Sequence, residues 1–256
     1  MGQKTPIEEL TSEAEANFRA SRWEDSAKTY EHLVGLAQQN EDYALAINYA
    51  LAAITAWKKM SNKQDKINKL YQVIGLLGVK ESAINYKKLA QEQEQKGDIK
   101  HAAGNYEEAA EGYKYLMDFR NAKKHFSSAV KLLTKLAKKA QKAKDYESAI
   151  HYYDRGSKVY TKTRILIDRM FLEIKKLGDK ERKQLEKEKE TIIEKKKESI
   201  IQKAKAHEKL ADDFLKKKEP HYKEIAKKEY RKAAGLCKQI DELKEAKKLQ
   251  KKARKL

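Results

Sequence analysis

The chain has 256 residues, 58 of them Lys or Arg and 39 Asp or Glu, which gives a net charge of +19. Two prolines, ten glycines and 38% charged residues exclude a turn-rich β fold and a low-complexity chain, and they predict nearly continuous helix. A single cysteine, Cys237, excludes an intramolecular disulfide framework and reads as a packed small hydrophobe.

At the start, Thr5-Pro6-Ile7-Glu8 predicts a helix with Thr5 as N-cap, Pro6 at the first helical position and Glu8 closing a capping box. The opening Met1 to Pro6 has no apolar signal-peptide core, and Pro6 stands where a myristoylation site needs Ser or Thr. Breaks near Ser21, Asn40, Ser61, Gly78, Gly97, Met117 and Lys144 delimit predicted helices over 6–20, 23–39, 42–60, 63–77, 80–96, 98–116, 119–143 and 146–177. Gly78 and Gly97 are the expected C-terminal caps. The most apolar window, Tyr43 to Trp57, is too short to span a bilayer, so no transmembrane segment is expected.

After Gly178-Asp179 a charge-dense segment, 180–218, has no helix breaker and predicts one long helix. Ile193, Ile200, His207 and Phe214 recur every seven residues along it, as either a coiled-coil seam or one face docked on a neighbouring helix. A hairpin over 222–255 comes next. The expected organisation is a helical array over 1–177, a long charged helix over 178–221 and a C-terminal hairpin over 222–256.

One pattern recurs through most of this sequence. A polar residue and an aromatic or aliphatic one mark a turn, and a small residue stands three or four positions on: Arg22-Trp23…Ser26, Asp42-Tyr43…Ala46, Asp98-Ile99…Ala102, Asp118-Phe119…Ala122, Asp145-Tyr146…Ala149 and Asp241-Glu242-Leu243…Ala246. The aromatic is expected to bury against the preceding helix, and the small residue to let the two backbones approach. A hairpin repeated this way cannot bury its apolar face alone, so neighbours must stack. The predicted fold is all-α, a right-handed TPR-like α-solenoid of antiparallel helix hairpins.

Motifs for chemistry are missing. The sequence has no P-loop and no G-x-G-x-x-G, and its six histidines never fall at H-E-x-x-H spacing. Glu107-Glu108 and Asp212-Asp213 point in different directions on a helix. Neither an enzyme nor a cofactor or metal is expected. Charge is the remaining signal. Residues 1–100 carry 14 basic and 14 acidic side chains, and residues 101–256 carry 44 and 25, hence the whole +19. Lys124, Lys131, Lys135, Lys138 and Lys142 fall on one helix face. Concentrated like charge predicts an acidic partner; the alternative is a solvated lysine face with no fixed partner.

Several runs together resemble the soluble NSF attachment proteins (SNAPs). They include Ala16-Asn17-Phe18…Trp23, Ala56-Trp57-Lys58-Lys59, Gly97-Asp98-Ile99-Lys100-His101-Ala102-Ala103 and Lys135-Leu136-Ala137…Asp145-Tyr146-Glu147-Ser148-Ala149. Lys232-Ala233-Ala234-Gly235-Leu236-Cys237…Ile240-Asp241-Glu242-Leu243 completes the set. The resemblance implies a TPR-like adaptor that grips an acidic helical, SNARE-like protein bundle and meets an AAA ATPase. It also implies work in vesicle-mediated and intracellular protein transport, in the cytoplasm and peripherally at membranes. Lys131 and Lys135 match the family's basic partner-facing positions, Gly104 stands where another would be, and Lys100 lies nearby. The expected partner-binding residues are therefore Lys100, Lys131, Lys135 and Lys138. The chain departs from the family in lacking its N-terminal apolar loop, its C-terminal bundle and its acidic tail, and in the extra charged helix over 161–222. Two other readings remain open: a basic helical protein that binds nucleic acid, and a generic TPR interaction adaptor.

Overall fold

The computed structural model describes residues 5–173, 178–217 and 219–256; residues 1–4, the predicted helix end at 174–177 and residue 218 lie outside the described residues. Among the described residues there are ten helices and no strand. They are α1 (Pro6–Arg19), α2 (Trp23–Gln39), α3 (Tyr43–Trp57), α4 (Gln64–Gln95), α5 (Ile99–Tyr115), α6 (Phe119–Lys142), α7 (Tyr146–Glu173), α8 (Asp179–Lys216), α9 (Pro220–Gln239) and α10 (Leu243–Arg254). The fold is an all-α array in which helices adjacent in sequence pack as antiparallel neighbours. No described helix is long and apolar enough to cross a membrane.

Six turns share one construction. Ser21, Glu41, Gly97, Met117, Lys144 and Asp241 take φ between +57° and +79°. The next residue sends its N–H back to a carbonyl of the finished helix: Arg22 to Asn17 (2.9 Å), Asp42 to Ala37 (2.9 Å), Asp98 to Gln93 (2.8 Å), Asp118 to Tyr113 (2.9 Å), Asp145 to Ala140 (2.9 Å) and Glu242 to Cys237 (2.9 Å). This is the Schellman closure, which satisfies carbonyls the helix end would leave unpaired. The left-handed conformation costs an L residue about 1 kcal/mol, and none of the five non-glycines placed there is β-branched. The same closing residue starts the next helix. Asp42, Asp118 and Asp145 cap the N–H groups of Leu45, Asn121 and Ser148 at 3.0, 3.2 and 3.1 Å.

Four residues into each new helix stands the small residue. Ser26, Ala46, Ala102, Ala122, Ala149 and Ala246 are at most 1% exposed. Ser26 Oγ donates to the Ala14 carbonyl at 2.9 Å, so α1 and α2 approach to backbone contact. The aromatics behave differently from expectation. Trp23, Tyr43, Phe119 and Tyr146 do begin their helices, but only Phe119 is buried. The first residue of a helix lies over the last turn of its predecessor, at the rim of the interface. Trp23 packs there edge-on against Phe18, with ring centroids 4.7 Å apart.

Gly78 does not end a helix. A lone glycine costs a helix about 1 kcal/mol, which neighbouring packing overrides, and Gly78 has no positive φ. It is followed by Val79 rather than by a capping residue, and α4 continues through it. Gly97, at φ +79°, is followed by Asp98 and ends the helix as predicted. The Thr5 cap also forms, with Thr5 N–H on Glu8 Oε2 (2.8 Å) and Glu8 N–H on Thr5 Oγ1 (3.3 Å).

Packing divides the chain into two compact units, residues 1–85 with 115–117, and residues 86–114 with 118–256. The first is built on α1, α2, α3 and the first part of α4. Its core gathers Leu33, Ala46, Ala50, Ile54, Trp57, Ile67 and Leu70. Trp57 is 1% exposed, and its indole N–H reaches Glu31 at 2.6 Å. This unit carries 10 basic and 11 acidic residues, so the second, with 48 and 28, holds the whole positive excess.

In the second unit α8 is one long helix, as predicted, and it docks on α7 and α9. Its buried row is Leu185, Ser199, Ala204, Ala206, His207 and Ala211. Ile193, first in the seven-residue stripe, is 44% exposed. The face is thus a docking face with alanines at the close approaches, and not a coiled-coil seam.

His125 on α6 is 4% exposed and stacks on Tyr106 and Tyr113, with centroids 5.9 and 5.3 Å away. Its Nδ1 has no hydrogen-bond partner among the described residues. Burial first, then Lys87 and Lys124, push its pKa down to about 4. The unfolded chain therefore binds one more proton than the folded chain between about pH 6.5 and 4. Stability falls as pH drops through that window, by up to about 3 kcal/mol. His125→Phe keeps the stack and removes the proton site. Urea unfolding at neutral pH should change little, while the loss of stability between pH 6.5 and 4 becomes shallower. The turn makes a separate prediction. Ala149→Leu should cost about 1–3 kcal/mol by overpacking, whereas Lys144→Gly, at a left-handed position, should be neutral or stabilising by up to about 1 kcal/mol. Thermal unfolding of the two variants checks both signs.

Candidate functional site

The two sides of α6 differ in character. One side of the helix, Ala122, Phe126, Ala129, Val130, Leu133 and Ala137, is buried. On the other side Lys131, Lys135, Lys138, Lys139 and Lys142 are exposed. Lys139 and Lys142 occupy the last turn, where the helix dipole favours a cation.

Several other basic side chains of this unit are paired across helices. Across α5 and α7, Arg155 Nε stands 2.7 Å from Glu107 Oε1 and Lys162 lies 2.7 Å from Glu111. The Arg155–Glu107 contact is an ion pair but poorly directed as a hydrogen bond, since Oε1 has no well-aligned donor. Burial pushes the Glu107 carboxyl up, against the pull of Arg155 and Lys162. Gly104 leaves room for that arginine; a Cβ there would stand 3.4 Å from Arg155 Nη2. The start of α8 is clipped to α6 by Arg120–Glu181 (2.9 Å) and Lys123–Glu188 (2.5 Å). It is also clipped to α7, through Lys189–Asp168 (2.6 Å), Lys203–Asp154 (2.5 Å) and the Ser199 hydroxyl on the Tyr153 carbonyl (3.0 Å).

Between α6, α7 and α8 lies a groove of about 850 Å³. Ser127, Val130, Lys131, Thr134, Lys135, Lys138, Lys139 and Lys142 line it from α6, Tyr160 and Thr163 from α7, and Ile192 and Lys195 from α8. None of these six lysines has a carboxylate partner among the described residues. Val130, Tyr160 and Ile192 form an apolar floor. Burial raises the Tyr160 phenol, with Thr134 opposing and Glu198 adding to the shift.

The structure thus brings Lys131, Lys135 and Lys138 together on one groove. Lys100 is exposed at the start of α5, near Asp98, and Lys124 is exposed on α6; neither lines the groove. Lys195, Tyr160 and Ile192 were not legible as site residues, because they arrive from other helices. Their only sequence signal is the apolar Ile192 inside a charged run.

The other polar clusters of this unit read as clips between helices. His207 Nδ1 lies 2.5 Å from Glu229 Oε2, both buried, and Lys232 lies 2.5 Å from the same carboxylate. Burial would raise Glu229, but these two hydrogen bonds hold its carboxyl below the ordinary range. The Tyr230 hydroxyl donates to Asp212 at 2.5 Å, and burial with that bond holds the phenol far above its usual pKa. Among the described residues no group of three or more His, Cys, Asp or Glu could hold a metal ion.

No protein-family model matches the chain, and no curated protein matches it. Among solved structures it is similar to a circular tandem repeat protein with novel repeat topology and enhanced subunit contact surfaces, with a TM-score of 0.31 and 13% identity. The match covers 97% of this chain and 57% of that one, so the chain spans little more than half that protein's length.

Like charges four residues apart on a helix repel, and unpaired clusters lower stability until a counter-charge is bound. Lys135→Gln should therefore raise the thermal midpoint at low salt and leave it unchanged at high salt. Lys123→Gln, which removes a partly buried partner of Glu188, should lower it. Equal effects of the two substitutions would show that the groove lysines are not under mutual repulsion.

Proposed function

We propose that this protein is a helical-repeat adaptor whose α6–α7–α8 groove holds an acidic helical segment of a partner protein. One observation carries the reading: six lysines without carboxylate partners among the described residues converge from two helices around an apolar floor. Each exposed lysine contact contributes about 1 kcal/mol or less, and several act together. The finer form is a SNAP-like adaptor for a SNARE-like bundle in vesicle-mediated transport in the cytoplasm, with an AAA ATPase and a membrane surface as further contacts. The residue runs that resemble that family support it. Nucleic acid is the competing occupant, but phosphates would leave Val130, Tyr160 and Ile192 unused, and the groove has no arginine.

Reversal of Lys131, Lys135 and Lys138 to Glu should abolish association with acidic partners captured from native extract, with or without nuclease, while leaving the thermal midpoint at high salt close to that of the parent. Undiminished capture would reduce the lysines to a solvated face. Capture lost on nuclease treatment would assign them to phosphates.

A further inference from the structure

The groove's length and floor narrow the partner further, an inference that rests on the adaptor reading. From Ser127 to Lys142, α6 rises about 22 Å at 1.5 Å per residue, which is roughly four helical turns. Lys131, Lys135, Lys138 and Lys142 run along one wall and Lys195 stands on α8. Between them Val130, Tyr160 and Ile192 make an apolar strip. A helix is about 10 Å across with its side chains, the slimmest regular element that could follow the groove along α6 and bring side chains to that strip. The outer surface of a wide bundle or a nucleic-acid duplex would rest on the lysines and leave the strip wet. The lysine stems are themselves apolar and extend the strip outward.

We propose that the groove takes a single amphipathic helix of about four turns, with carboxylates on one stripe and one or two aliphatic side chains on the adjacent stripe. The carboxylates meet Lys131, Lys135, Lys138 and Lys142, whose spacing repeats along any helix laid beside α6. The aliphatic side chains seat on Val130, Tyr160 and Ile192. Charge draws the helix in and the strip selects it, because exposed ion pairs are screened by salt and apolar burial is not.

The test uses the full chain and two fluorescein-labelled helical peptides of about sixteen residues. Both carry Glu at i, i+4, i+7 and i+11; one has Leu on the adjacent stripe and the other has Ser. Fluorescence anisotropy should show the Leu peptide binding about tenfold or more tightly than the Ser peptide at about 300 mM KCl. Ile192→Ser should erase most of that difference without moving the thermal midpoint. Lys131→Glu with Lys135→Glu and Lys138→Glu should abolish binding of both peptides. If the lysine variant loses both peptides but the parent binds them equally, the adaptor reading stands and the single-helix inference fails. If the lysine variant keeps both, the two fail together. Binding of neither peptide by the parent, or displacement of the Leu peptide by a duplex oligonucleotide with a steep salt dependence, overturns the inference as well.

Discussion

A helix end leaves carbonyls without partners, and most links in this chain have only three residues in which to satisfy them. The Schellman closure does so at six turns, and the residue that closes one helix opens the next. With so short a link the following helix must run back along its predecessor, and its fourth residue falls where the two backbones come nearest. That residue is therefore alanine or serine, and at most 1% exposed. The aromatic at the helix start is left to cover the rim, so its side chain tolerates partial exposure.

Fixed crossings of this kind set the charge pattern. Arg155 meets Glu107 and Lys162 meets Glu111, acids one turn apart on α5 answering bases two turns apart on α7. The same logic clips the start of α8 to α6. Farther along α8, Ser199 and Lys203 reach Tyr153 and Asp154 of α7, and no further ion pair joins α8 to α6 among the described residues. Its exposed lysines then face Ile192 and Lys195, neither of which can neutralise them. The basic groove thus lies where α8 offers the α6 lysines no carboxylate to pair with.

How much of this could be read from the sequence depends on whether the determinants are local. The Thr5 capping box and the turn residues from Arg22 to Glu242 are local, and the helices began where they indicated. Gly97 could be told from Gly78 by the residue next in the chain: the Asp98 side chain can cap the following helix, and that of Val79 cannot. The side of α6 that carries Lys131, Lys135 and Lys138 was legible from spacing alone. What faces that side was not, because Tyr160 and Ile192 come from 22 or more positions away and depend on the path of α8. His125 was opaque for the same reason. A histidine in a charged segment looks solvated until Tyr106 and Tyr113 are seen to enclose it.

Stability and binding are coupled through the same lysines. In the free protein their mutual repulsion opposes folding, mitigated at the end of α6 by the helix dipole. Anything acidic that binds there relieves the repulsion and stabilises the fold by mass action. Charge alone, however, would admit any polyanion, and at physiological salt the field of an exposed lysine reaches only about 8 Å. Discrimination must come from the contact that salt does not screen. In this groove that contact is the apolar strip of Val130, Tyr160 and Ile192, held by three helices whose crossings are set by their turns and ion pairs. A strip held so firmly selects by shape, since it cannot adapt cheaply to a partner that presents only charge.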